Sequence, residues 1–79
     1  INTISIFPNP FNDYAILRYD NPRGYTYNLI ITDISGKVCR TINDIKTSEY
    51  FLEKGNLKSG FYLVEFRGNN IYRGKIIVE

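Results

Sequence analysis

Short runs in which apolar and polar residues alternate, separated by turn clusters, organise the whole chain. From 25 to 34 one parity carries Tyr25, Tyr27, Leu29 and Ile31, and the other Thr26, Asn28, Ile30 and Thr32. Such alternation marks a half-buried strand, because successive side chains of a strand point to opposite faces. The first set is the expected core face. From 61 to 67, Tyr62, Val64 and Phe66 oppose Leu63, Glu65 and Arg67; from 71 to 78, Ile76 and Val78 oppose Lys75 and Ile77. In 37–42, Val38 and Ile42 share a face with Arg40 between them, which predicts partial burial. Runs at 4–7, 14–19 and 50–52 bring the expected strands to seven.

The turn chemistry agrees. Asp33-Ile34-Ser35-Gly36-Lys37 predicts a tight hairpin with Gly36 at positive φ. Asn21-Pro22-Arg23-Gly24 predicts a turn into the third strand, and Gly68-Asn69-Asn70 a hairpin in which Asn takes the left-handed region. The polar stretch 43–48 reads as a loop, and 56–60 as a turn or short 3₁₀ segment that drops Leu57 into the core. Short strands at near-regular spacing predict an all-β sandwich or barrel. The segment IFPNPFND, residues 6–13, ends its strand almost at once. Proline donates no ladder hydrogen bond, so Pro8 and Pro10 fit a short edge strand and hold Asn9 in an extended or turn conformation.

Composition narrows the picture. With 79 residues the chain makes one domain, residues 1–79, with a small core. Hydrophobic residues at 43% are too many for a disordered tail. A net charge of +2, with Lys and Arg scattered, argues against nucleic acid. No apolar run approaches the roughly 18 residues of a membrane span. The first residue is not Met and strand-like sequence follows closely, which fits a piece of a longer protein. Cys39 is alone, so no internal disulfide forms; it reads as a small half-buried apolar side chain. Self-association through Cys39 or an edge strand is left open.

The inventory for catalysis is thin. There is no His, so neither a zinc site nor a Ser-His or Cys-His pair can be assembled. Asp13, Asp20, Asp33 and Asp44 fall in expected turns, where side-chain-to-backbone bonding is the ordinary role. No calcium-loop spacing or phosphate loop is present, and no catalytic residue, metal or cofactor is expected. Strand parity offers Tyr14, Tyr19, Tyr50 and Tyr72 as a sugar-stacking platform; the ordinary alternative is that tyrosines rim the sandwich with their hydroxyls wet.

Four blocks, in order, resemble one family. IFPNPF (6–11) looks like the opening motif of the C-terminal sorting domains of the Bacteroidetes type IX secretion system (type A). LIITDISGKV (29–38) is similar to the middle strand pair, LKSGFYLVEF (57–66) to the Gly-x-Tyr block, and GKIIVE (74–79) to the terminal Lys and apolar strand. Each block alone is common; the four together are specific. Glu79 departs from relatives that end on a basic or neutral polar residue.

The resemblance implies an immunoglobulin-like β-sandwich of about seven antiparallel strands. It also implies a non-catalytic address at the end of a longer secreted protein, whose cargo crosses the periplasm and then the outer membrane of a Gram-negative bacterium. The implied partners are the outer-membrane translocon and a sortase-like peptidase that removes the domain and attaches the cargo to the cell surface. The residues carried over are Pro8, Asn9, Pro10, Gly36, Gly60, Tyr62 and Lys75. Gly36 and Gly60 fit turn geometry and Tyr62 the core, while Lys75 is the best candidate for direct contact. A final strand at a sheet edge would present unpaired backbone groups for strand addition, with Lys75 fixing register. The alternative function is an immunoglobulin-like spacer or an adhesive, carbohydrate-binding module.

Overall fold

The computed structural model describes residues 3–79. Among them the chain forms seven strands: β1 (Ser5–Phe7), β2 (Tyr14–Arg18), β3 (Tyr27–Asp33), β4 (Val38–Ile45), β5 (Glu49–Glu53), β6 (Gly60–Arg67) and β7 (Ile71–Val78). They pair antiparallel into a sheet of order β1-β2-β5 and a sheet of order β4-β3-β6-β7. This is the immunoglobulin-like sandwich, with the fourth strand beside the third rather than the fifth.

The alternating positions meet between the sheets. Leu29, Ile31, Val64, Phe66 and Ile76 face Ala15, Leu17 and Leu52, all essentially without solvent contact. Aromatic rings fill one end of this core. Tyr19 stacks on Phe66 at 3.9 Å between centroids and meets Tyr27 and Tyr72 edge-on. Burial pushes the Tyr19 and Tyr72 phenols above the ordinary tyrosine range. The Tyr72 hydroxyl nevertheless donates to the Asp20 carbonyl at 2.7 Å, so its burial leaves no orphaned donor.

The turns follow their chemistry. Gly36 takes φ 90° in the β3–β4 hairpin, where the Asp33 carboxylate accepts from the Ser35 hydroxyl and from the Ser35 and Lys37 amides. These bonds, the Ser35 hydroxyl foremost, hold the Asp33 carboxyl below its ordinary range. The Gly24 amide donates to the Asn21 carbonyl, and Leu57 is buried beyond a turn closed by its own amide onto Lys54. In the 68–70 hairpin neither Asn69 nor Asn70 takes positive φ, contrary to the expectation from Asn.

β4 departs furthest from the alternation. Two register shifts against β3 bulge it. The first, between Val38 and Arg40, turns Val38 outward beside Thr32 and leaves Cys39 exposed rather than half-buried. The second lies at Asp44, whose φ is 63° and whose amide donates to the Asn28 side chain. An extra residue in a strand reverses the parity beyond it, so Ile45 turns into the core opposite Tyr27. The strand therefore runs on into the stretch expected to be loop.

Candidate functional site

The Pro8-Asn9-Pro10 segment lies along the outer edge of β7. Pro8 and Pro10 have no amide hydrogen, so the backbone around Asn9 cannot keep up a ladder. The Asn9 side chain does it instead. Its Nδ2 donates to the Lys75 carbonyl at 3.0 Å, and its Oδ1 accepts from the Ile77 amide at 3.0 Å. A carboxamide carries the same donor and acceptor as a peptide unit, so one side chain stands in for the missing strand. Backbone pairing continues on either side. The Ile4 amide donates to the Arg73 carbonyl, the Phe11 amide to Ile77, and the Glu79 amide to Phe11. The bridges Thr3 to Arg73 and Phe11 to Val78 are parallel. Both peptide bonds into the prolines are cis.

This closes one side of the sandwich. β1 pairs with β2 of the three-stranded sheet, and the same segment runs beside β7 of the four-stranded sheet. β7 is indeed an edge strand, but the outer carbonyls of Arg73, Lys75 and Ile77 and the Ile77 amide are engaged. The expectation of an open edge ready for strand addition is corrected by this pairing.

The other motif residues fall nearby. Gly60 opens β6 opposite Val78, and Tyr62 sits opposite Ile76. Gly60 has φ 149°, and a Cβ there would meet no atom within 4 Å, so backbone conformation rather than space selects glycine. Gly36 is likewise selected by conformation alone. Tyr62 is buried, and its hydroxyl donates back to the Lys58 carbonyl at 2.6 Å. That is the tyrosine corner of immunoglobulin-like sandwiches, at the start of their sixth strand. Asp33 pairs with Tyr62, so the Gly36 hairpin lies at the same end. Thus Asn9, between Pro8 and Pro10 in sequence, meets Lys75 directly, Gly60 and Tyr62 pair with β7 beside it, and Gly36 stands two strands away. A family model for the secretion system C-terminal sorting domain matches residues 5–79.

The chain belongs to that family. No curated protein matches it. It is a type IX C-terminal sorting domain, a signal for export to the cell surface or beyond, and membership implies interaction with the type IX machinery. Among the described residues no cluster of His, Cys, Asp and Glu is arranged to hold a metal, and no helix is long and apolar enough to cross a membrane.

In this sorting domain the four tyrosines do not form a platform. Tyr19 and Tyr72 are buried, and Tyr14 spends its ring on Phe51, stacked at 4.7 Å. Three residues carry more than the sequence reading gave them. Arg40, turned inward, donates to the Glu53 and Lys54 carbonyls at 2.6 and 2.8 Å and so ties β4 to the end of β5. Asn21 is buried, bonding Tyr25 through both its amide and its carbonyl. Glu65 accepts from Arg73 and Arg67, which hold its carboxyl below the ordinary range. For Arg40 the signal was its parity, shared with Ile42; for Asn21 it was the Asn-Pro turn.

Proposed function

We propose that this sorting domain is a non-catalytic address on the C-terminal side of an exported cargo, read by the type IX translocon after the cargo has reached the periplasm. The observation that carries this reading is the convergence of three of the four family motif blocks on one strand and its edge. The prolines with Asn9, the Gly-x-Tyr block and Lys75 all meet at β7. In this reading Pro8, Asn9, Pro10, Gly36, Gly60 and Tyr62 serve recognition through the fold they enforce, and Lys75 through contact. After passage across the outer membrane, a sortase-like peptidase cuts upstream of β1 and joins the cargo to the cell surface. The inventory of side chains supports a passive role, since the chain carries no His and its Asp33 and Glu65 carboxylates are engaged in structural bonds.

The test is a fusion of a signal peptide, a reporter and residues 1–79, expressed in a host with this secretion system. The expected result is reporter outside the cell, on the surface or in the medium. Retention in the periplasm overturns the reading. A host lacking the sortase-like peptidase should accumulate uncut fusion; normal processing there refutes the removal step alone.

A further inference from the structure

Side chains and irregular backbone interrupt the sheet edges. Asn9 fills the ladder of β7. On β5 the outward carbonyl of Glu53 accepts from Arg40, and that of Glu49 from the Thr47 hydroxyl at 2.6 Å. β4 carries two bulges, which twist an edge away from a prospective partner strand. Strand addition is therefore disfavoured, and recognition falls to the outer faces of the sheets.

On the three-stranded sheet the exposed groups already partner one another. Tyr14 stacks on Phe51, Arg18 lies over the Phe7 ring at 5.1 Å, and Arg18 pairs with Glu49. The four-stranded sheet is different. In one half Glu65 pairs with both Arg67 and Arg73. In the other, Phe61 and Leu63 are about half exposed, at 51% and 48%. Leu63 lies opposite Lys75, and Phe61 opposite Ile77. Among the described residues no carboxylate lies within ion-pair distance of Lys75. Lys75 thus stands without an ion-pair partner at the border between the two halves, with Glu65 and Arg73 on one side and Leu63, Phe61 and Ile77 opposite it and on the other, beside the edge that Asn9 closes.

We propose that Lys75, Leu63, Phe61 and Ile77 form the docking surface for a protein of the secretion machinery, and that this partner presents a carboxylate framed by apolar side chains. The proposal rests on the sorting reading and adds the face and the chemistry of the partner. An ammonium–carboxylate pair is weak in water and strengthens when apolar neighbours exclude solvent around it. Phe61, Leu63 and Ile77 provide that exclusion on one side of Lys75, and the Glu65 carboxylate on the other is already held by Arg73 and Arg67. Charge and apolar contact are then both required, and Lys75 sets the sign of the partner.

The same reporter fusion tests this with Lys75→Glu, Lys75→Arg, Leu63→Ser and, on the opposite sheet, Phe51→Ser. Thermal melting of each purified variant establishes that it folds. Should Lys75→Glu melt early, Lys75→Met replaces it. Export should fall about tenfold or more for Lys75→Glu and severalfold for Leu63→Ser, in line with interface hot spots. Lys75→Arg and Phe51→Ser should export normally. Normal export of folded Lys75→Glu and Leu63→Ser, from a host that exports the unaltered fusion, overturns this surface and leaves the sorting reading standing. An equal loss with Phe51→Ser also overturns it. Failure of the unaltered fusion itself overturns the sorting reading.

Discussion

Replacing Asn9 by Ala removes one side chain from the surface and two hydrogen bonds from the edge of β7. The bonds run to the Lys75 carbonyl and from the Ile77 amide, both at 3.0 Å and both solvent-accessible. Because water can reach the released groups, each loss costs the net value of a hydrogen bond rather than a full desolvation penalty, about 0.5–1 kcal/mol. The pair together is worth about 1.5 kcal/mol. In a domain of 79 residues that corresponds to a fall in melting temperature of roughly 6–12 °C.

Two assays check it. Thermal unfolding followed by circular dichroism gives the shift. Amide hydrogen exchange localises it: the Ile77 amide should lose protection, while the Leu29 and Val64 amides of the central strands should change only with global stability. Asn9→Asp separates the two bonds, since a carboxylate keeps the acceptor for Ile77 but turns an oxygen toward the Lys75 carbonyl. It should be no more stable than the Ala variant at neutral pH. An Asn9→Ala protein that melts within a degree of the parent, with Ile77 protection intact, would refute the surrogate-strand argument.

Other substitutions probe the frame. Tyr62→Phe removes the bond to the Lys58 carbonyl and should cost about 1 kcal/mol in a denaturant titration. Gly60→Ala meets open space but a backbone that L residues rarely adopt, so chemical denaturation should reveal a loss of about 1–3 kcal/mol from strain alone. Glu65 has its folded pKa depressed by Arg73 and Arg67, so its contribution is present above the unfolded carboxylate value of about 4.3 and lost as pH falls through the folded value. Glu65→Gln should accordingly narrow the difference from the parent at acid pH, as melting curves across pH would register. Tyr19 and Tyr72 have raised folded values, so their contribution is present below the unfolded value of about 10 and lost as pH rises beyond it. Tyrosinate absorbance should show both ionising late, together with alkaline unfolding.

Strand existence was legible because alternation is enforced by burial on one face. Tyr27, Leu29 and Ile31, and likewise Tyr62, Val64 and Phe66, point inward as their parity requires. The misjudged tyrosines were legible too. Tyr19 shares parity with Ala15 and Leu17, and Tyr72 with Ile76 and Val78, so alternation already assigned both to the core. β4 was not legible in the same way. A bulge breaks the period without changing composition, so nothing in Val38, Cys39 or Asp44 announced that Val38 would turn out and Ile45 in. The role of Asn9 lay further from reach. Its two partners are 66 and 68 residues away, and only the topology brings them to it. The prolines announced that pairing would stop; they carried no sign of which side chain would resume it.

That long-range pairing changes which experiment bears on recognition. Removing the last few residues is the obvious way to ask whether the secretion machinery reads the final strand. Yet Ile76 and Val78 are buried in the core, and Ile77 and Glu79 hold Asn9 and Phe11. A truncation from residue 76 onward empties part of the core and releases the segment that closes the sandwich. Burial of an Ile and a Val is worth about 1.5–3 kcal/mol each, a large part of what so small a domain has in total. Lost export in such a truncation therefore reports unfolding as readily as lost contact. Lys75 offers a cleaner probe, because its carbonyl serves the fold and its exposed side chain does not. Lys75→Glu leaves the bond to Asn9 in place and inverts only the charge that a partner would meet. If folded Lys75→Glu is exported as well as the parent while the truncation is not, the machinery is reading the closed sandwich and not the surface around residue 75.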